Sequence, residues 1–210
     1  MRKKIYMLAA AAVMTGIMAT ACAPKNAAEA ETVISTEEET LESTESTDVT
    51  GDAAGDLEAV TDEKLTQIHD AVKEVYGDAY IPSMPYDAAA LEEVFGVKPD
   101  LCDAFIAEGP MISVHVETFI GIKAKEGKAA EIAKALTGYR DSQIQSAVQY
   151  PMNMVKLEAS QVIEKGDYVF FVMLGSADES AEEVSEEAAL ESAKADNQKA
   201  VDVIDGFFKN

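Results

Sequence analysis

The chain has 210 residues, with 17 Lys and Arg against 39 Asp and Glu, a formal net charge of −22 at pH 7. So acidic a chain repels phosphate backbones, which excludes nucleic acid as a partner, and its length allows one or two domains. Two cysteines, Cys22 and Cys102, are too few for a disulfide framework, and their spacing excludes a CxxC-type metal or redox site.

Met1–Lys4 is cationic, Ile5–Met18 is an almost unbroken apolar run, and Ala19-Thr20-Ala21 supplies small residues. That order is the order of a secretory signal peptide. The run of about 14 residues is shorter than the roughly 20 needed to cross a bilayer core, and Gly16 weakens its middle, so a retained transmembrane anchor is the weaker alternative. Met18-Ala19-Thr20-Ala21-Cys22 resembles a bacterial lipobox, in which the thiol is alkylated with a diacylglyceryl group and the chain is then cut before the cysteine. Ala19 stands where that motif usually has Leu. A signal peptide over residues 1–21 and lipidation at Cys22 are therefore expected, with ordinary secretion and cleavage near Ala21 as the alternative. Two acyl chains, at roughly 0.8 kcal/mol per buried CH₂, anchor stably where one binds reversibly. Without residues 1–21 the balance is 14 Lys and Arg against 39 acids, or −25, and such a body has no affinity of its own for anionic headgroups.

From Ala23 to Asp56 the chain holds ten acids, one lysine, many Ser and Thr, and no aromatic residue. A segment of this composition buries too little apolar surface to offset its ordering entropy, so residues 22–56 read as the lipidated cysteine and a disordered acidic linker. As a flexible coil the linker would span roughly 30–35 Å, and more with self-repulsion. A spacer is preferred here to a binding tail.

Residues 57–210 read as a single domain. Thr61-Asp62-Glu63-Lys64 opens a helix with Leu65, Ile68, Val72 and Val75 at helical spacing and Gly77 after it. Asp87 caps a second short helix, with Leu91, Val94 and Phe95 on one side and Gly96 as its stop. Pro99–Ile106 has a short helical pattern in which Cys102 is a half-buried apolar filler; Asp100 and Asp103 would raise its pKa and make a reactive thiol the minority reading. Met111–Lys123 alternates, with Ile112, Val114, Val116, Thr118, Ile120 and Ile122 on one face, and predicts a half-buried strand. Gly127 breaks it, and Lys128–Ala147 returns to helical spacing until Pro151 ends the region. Residues 160–164 and 168–174 flank Lys165-Gly166-Asp167 as a hairpin. Tyr168–Leu174 is apolar on both faces, which places it centrally in a sheet. Ser185–Phe208 reads as a long C-terminal helix. The fold expected is α+β, a small sheet of about three strands (111–123, 160–164 and 168–174) packed by helices.

Pro110–Phe119, Ile122–Lys128, Tyr139-Arg140-Asp141-Ser142, Gln149–Asn153 and Gly166–Gly175 together resemble domain-of-unknown-function family 4358, found mainly in lipoproteins of Gram-positive anaerobes. The resemblance covers roughly Leu57–Asn210. It implies an extracytoplasmic, lipid-anchored location and transfers no active site.

Ser113, His115 and Glu117 invite a hydrolytic reading, but spaced i, i+2 along one strand they stand near 7 Å apart, outside nucleophile–base contact. His69 lies alone on its helix, and two distant histidines do not make a metal site. Arg140, the only arginine after Arg2, is followed by Asp141 and reads as part of an internal ion pair, with an anchor for an anionic ligand as the alternative. The acids from Asp178 to Glu191 suit the start of a helix and lack the calcium-loop spacing. No catalytic residue, metal ligand or cofactor is therefore assigned, and Cys22 is the one site residue. The function read is a lipid-anchored protein at the extracytoplasmic face of the cell membrane, held there through Cys22. Its domain would bind a protein, wall polymer or small ligand, as a binding or accessory module of unknown biochemical activity rather than an enzyme. The alternative is an envelope enzyme with an unrecognised site.

Overall fold

The computed structural model describes residues 62–146 and 149–209, so the expected signal peptide, Cys22 and the expected acidic linker lie outside the described residues, as does Ala147. The described residues fall within one unit, Asp52–Asn210.

Helix α1 spans Glu63–Tyr76. Asp62 caps it by accepting the Leu65 N–H at 3.0 Å. Leu65, Ile68, Val72 and Tyr76 form its buried face, whereas Val75, expected inside, is exposed. After a 3₁₀ turn over Gly77–Ala79 comes the two-residue strand β1, Met84–Pro85. Helix α2, Ala88–Phe95, begins at the Asp87 cap (to Ala90 N, 2.8 Å) and ends at Gly96, whose φ of +69° is the left-handed stop that favours glycine.

Pro99–Leu101 is a 3₁₀ turn and Cys102–Gly109 is strand β2, which corrects the helical pattern expected there. Leu101, Cys102, Ala104, Phe105 and Ile106 imitate helical spacing because a register shift between Cys102 and Ala104 breaks the strict alternation of the strand.

Strand β3 is Thr118–Ala124, shorter than the predicted 111–123. Glu108 and Phe119 form the last pair of the β2–β3 ladder, so residues 110–117 have no strand beside them and form the connection. Met111, Ile112 and Val114 are accordingly exposed rather than inward-facing.

Helix α3 is Ala129–Ser146, with Ile132 and Leu136 fully buried. Pro151, read as a terminator, instead occupies the first position of helix α4, Pro151–Ala159. The missing N–H of proline costs nothing at that position. Strands β4, Gln161–Lys165, and β5, Tyr168–Met173, form the expected hairpin around Gly166, whose φ is +62°. Helix α5 is a single turn, Glu179–Glu182, and helix α6 runs Glu186–Gly206 from the Ser185 cap.

The fold class is α+β as expected, but the sheet has five strands, not about three, in the order β1-β2-β3-β5-β4 with every neighbour antiparallel. β3 and β5 are both interior, and their side chains are buried on both faces because helices cover both. On one face Phe95 of α2, Ile132 and Leu136 of α3 and Leu157 of α4 pack against Ile120, Ile122 and Phe171. On the other, α1 and α6 bring Ile68, Val72, Val201 and Ile204 against Phe119, Phe170 and Val172. Both faces are therefore closed by helices, α6 among them.

A buried amide fixes where α6 sits. Asn197 is fully buried. Its Oδ1 accepts the N–H groups of Leu174 (3.0 Å) and Gly175 (3.2 Å), and its Nδ2 donates to the Ala159 carbonyl at 3.1 Å. A Cβ on Gly175 would stand 2.2 Å from the Ala193 carbonyl oxygen, so only glycine lets the chain after β5 pass this close to the helix.

Candidate functional site

Where the connection 110–117 meets α4, polar side chains concentrate. Glu117 is almost completely buried. Its Oε1 takes a short hydrogen bond from the Lys156 ammonium, and its Oε2 accepts the Val116 N–H at 3.0 Å with His115 Nδ1 at 3.5 Å. Burial pushes the Glu117 carboxyl up, but the Lys156 bond and charge, with the backbone N–H donors, leave it net below its ordinary 4.5. Asn153, also buried, donates from Nδ2 to the Val114 carbonyl at 2.9 Å. These bonds clamp the connection onto α4.

Ser113, His115 and Glu117 thus lie on the connection, not along one strand face. Among the described residues no hydrogen bond joins Ser113 to His115, and Glu117 is committed to Lys156.

His69 is not solitary. Its Nε2 lies 3.0 Å from Glu108 Oε2 and 3.2 Å from the Tyr80 hydroxyl, and Tyr80 donates to the same Glu108 oxygen at 3.1 Å. A carboxylate only accepts, so the network assigns the proton to Nε2. Burial raises the Glu108 carboxyl, yet the His69 bond and the charges of His69 and Lys73 bring it net below its usual range. The Tyr80 hydroxyl is pushed far up by burial and by Glu108. The trio ties α1 and the turn after it to β2. Sequence reading missed it because the partners are 39 residues apart.

Cys102 is buried and free. Burial, aided by Asp100 and Asp103 and opposed by Lys125, pushes its thiol up to about 11, which suits packing rather than nucleophilic chemistry.

Arg140 holds the end of α4. Its Nε donates to the Ser160 carbonyl (3.1 Å) and hydroxyl (3.2 Å), its Nη2 to the Glu158 carbonyl (3.3 Å), and its Nη1 meets Asp141 at 3.4 Å. The guanidinium answers the helix's unpaired C-terminal carbonyls. Arg140→Lys is expected to cost about 1–2 kcal/mol in urea denaturation, because one ammonium cannot reproduce the fork. Unchanged stability would return Arg140 to the ligand-anchor reading.

The acids from Asp178 to Glu191 divide by role. Asp178 caps α5 through Ser180 N, Glu186 and Glu187 sit in the first turn of α6, and Glu191 pairs with Lys194. Among the described residues no group of three His, Cys, Asp or Glu side chains is arranged to hold a metal ion, and no helix is long and apolar enough to cross a membrane.

A feature suited to binding is an open groove of about 800 Å³ between α4 and the start of α6. Its floor is apolar, with Met152, Met154 and Val155 from α4 and Leu190 from α6. Its rim is anionic, formed by Glu158, Glu182, Glu186 and Glu187. Among the described residues no His, Cys, Ser or Lys side chain lines it, so the arrangement offers shape and charge rather than a nucleophile. The acidic run was visible in the sequence. The methionines opposite were not, since α4 itself was unexpected.

No curated protein and no solved structure matches the chain. Residues 75–174, from the end of α1 through β5, match the family model described as Domain of unknown function (DUF4358), and over that span the chain resembles that family.

Proposed function

We propose that this chain is a lipoprotein held at the extracytoplasmic face of the cell membrane by lipid on Cys22, and that its folded body is a binding or accessory module. The anchoring half is supported by the order cationic, apolar, small, cysteine at residues 1–22 and by the acidity of the rest, which needs a tether to remain at an anionic surface. The binding half rests on one observation, the α4–α6 groove, an open concave surface with an apolar floor and, among the described residues, no nucleophile or histidine in its lining. The acidic linker then acts as a spacer that lifts the body off the membrane. Cells fed radioactive fatty acid are expected to label the chain, and Cys22→Ser is expected to abolish the label and release the protein from the membrane fraction. Label retained by Cys22→Ser would overturn the anchor.

A further inference from the structure

We propose that the α4–α6 groove receives a cationic amphipathic helix, the apolar face of that helix on Met152, Met154, Val155 and Leu190 and its lysines or arginines against Glu158, Glu182, Glu186 and Glu187. The proposal rests on the reading of the body as a binding module and names its partner class.

Three observations carry it. The walls are two helices that already contact each other beneath the groove, α4 and α6, so a third helix is the element that lies naturally along them. Two methionines and a leucine form an adaptable floor, the kind of surface that accepts apolar side chains of varied shape. Met152 is 57% exposed, so apolar surface is left uncovered at this place.

Charge selects among occupants. Among the described residues no cation lines the groove, and none of the four rim carboxylates is ion-paired. An anionic ligand or an anionic membrane is repelled by that rim, and a second copy of this chain brings a net charge of −22 to it. A basic segment satisfies rim and floor together, and long-range attraction to so acidic a body speeds its arrival.

The test uses the purified full-length chain and a fluorescent peptide of leucine and lysine, about 18 residues long, enough for roughly five helical turns. Anisotropy is expected to show saturable binding, with a peptide of the same composition scrambled to lose its apolar face at least tenfold weaker. The triple variant Glu182→Gln, Glu186→Gln, Glu187→Gln is expected to weaken binding by roughly tenfold, the combined loss of three exposed charge contacts. Glu92→Gln, Glu93→Gln and Asp100→Asn, exposed acids remote from the groove, lower the net charge equally and are expected to leave binding within about twofold. Met152→Gln, at an exposed position that leaves the core intact, is expected to weaken binding without altering circular dichroism. Raising salt from about 0.15 M to about 1 M shortens the screening length from about 8 Å to about 3 Å and is expected to weaken the charge contribution while leaving the apolar one. No binding, equal binding of the scrambled peptide, or equal loss in the two triple variants would overturn the proposal. None of these results depends on Cys22, so a failed groove and a failed anchor are told apart.

Discussion

Asn197→Ala is expected to destabilise the fold by about 3–5 kcal/mol in urea denaturation followed by circular dichroism, with α6 still helical in the folded state. The side chain is fully buried and serves three backbone groups at once, the N–H of Leu174, the N–H of Gly175 and the carbonyl of Ala159. Removing it leaves each without its partner, and a buried polar group left unsatisfied costs roughly 1–3 kcal/mol. The effect is large because the amide joins elements that nothing local connects: the exit of β5, the end of α4 and the middle of α6. Gly175→Ala tests the same junction from the other side. Its new methyl would meet the Ala193 carbonyl oxygen and the Asn197 side chain, so α6 has to shift and the three hydrogen bonds stretch. A loss below 1 kcal/mol for Asn197→Ala would mean that solvent reaches this junction and replaces the amide.

Asn197 also shows where sequence reading stops. An asparagine among alanines on a helix looks like an ordinary polar position, and its worth appears only when β5 and α4 are brought beside it. What was legible depended on local chemistry. Asp87, with Gly96 eight residues past the first helical position, fixes α2 by capping at both ends, whatever packs on it. Gly166 fixes the hairpin, and the continuous apolar run of β5 states that both faces are covered. The misreadings have a common cause. Residues 112–116 carry a strand-like alternation but lie past the end of the ladder, so the pattern has no partner to pair with. Residues 101–106 carry a helix-like pattern across a register shift. Strand β1, two residues long, is too short for any periodicity, and it exists because Met84 meets Gly109. Proline at 151 is compatible with ending one helix or opening another, and only the Tyr150 conformation decides.

The candidate site was less legible than the fold for the same reason. Three of the four rim glutamates, Glu182, Glu186 and Glu187, fall in one acidic run, so they were visible. Met152, Met154 and Val155 of the floor, with Glu158, come from α4, an element far from that run in sequence, which reaches it only because α4 packs on α6. The Glu117–Lys156 and His69–Glu108 pairs each span 39 residues. No spacing rule reaches that far.

The Glu117–Lys156 pair supports the second large prediction, one in which pH separates electrostatics from packing. Lys156→Met leaves a buried carboxylate without its cation, a loss expected at about 3–5 kcal/mol near pH 7. Glu117→Gln is expected to cost about 3 kcal/mol, somewhat less because Lys156 lies closer to the surface and can reach water. The double variant Glu117→Gln, Lys156→Met holds no unpaired charge, so its loss is expected to fall well short of the sum, with a coupling of about 2 kcal/mol or more. In the native protein the Glu117 carboxyl lies below its unfolded value of 4.5, so the stability it contributes is complete above that pH and fades as pH falls through the folded value. The gap between native protein and Glu117→Gln should therefore narrow below pH 4.5. Asp62 and Glu108 are depressed in the same direction and contribute equally to both proteins, so the difference isolates Glu117. Lys156→Met shifts the balance at Glu117: with the ammonium gone only the backbone N–H donors oppose burial, the largest influence, so the carboxyl is expected to rise above 4.5. Protonation then favours the folded form, and the deficit of Lys156→Met should shrink already as pH falls toward that raised value, above the pH at which Glu117→Gln begins to converge on the native protein. Identical pH profiles for the two single variants, or strictly additive losses in the double one, would show that the clamp between the 110–117 connection and α4 is held by packing and that its charges are incidental.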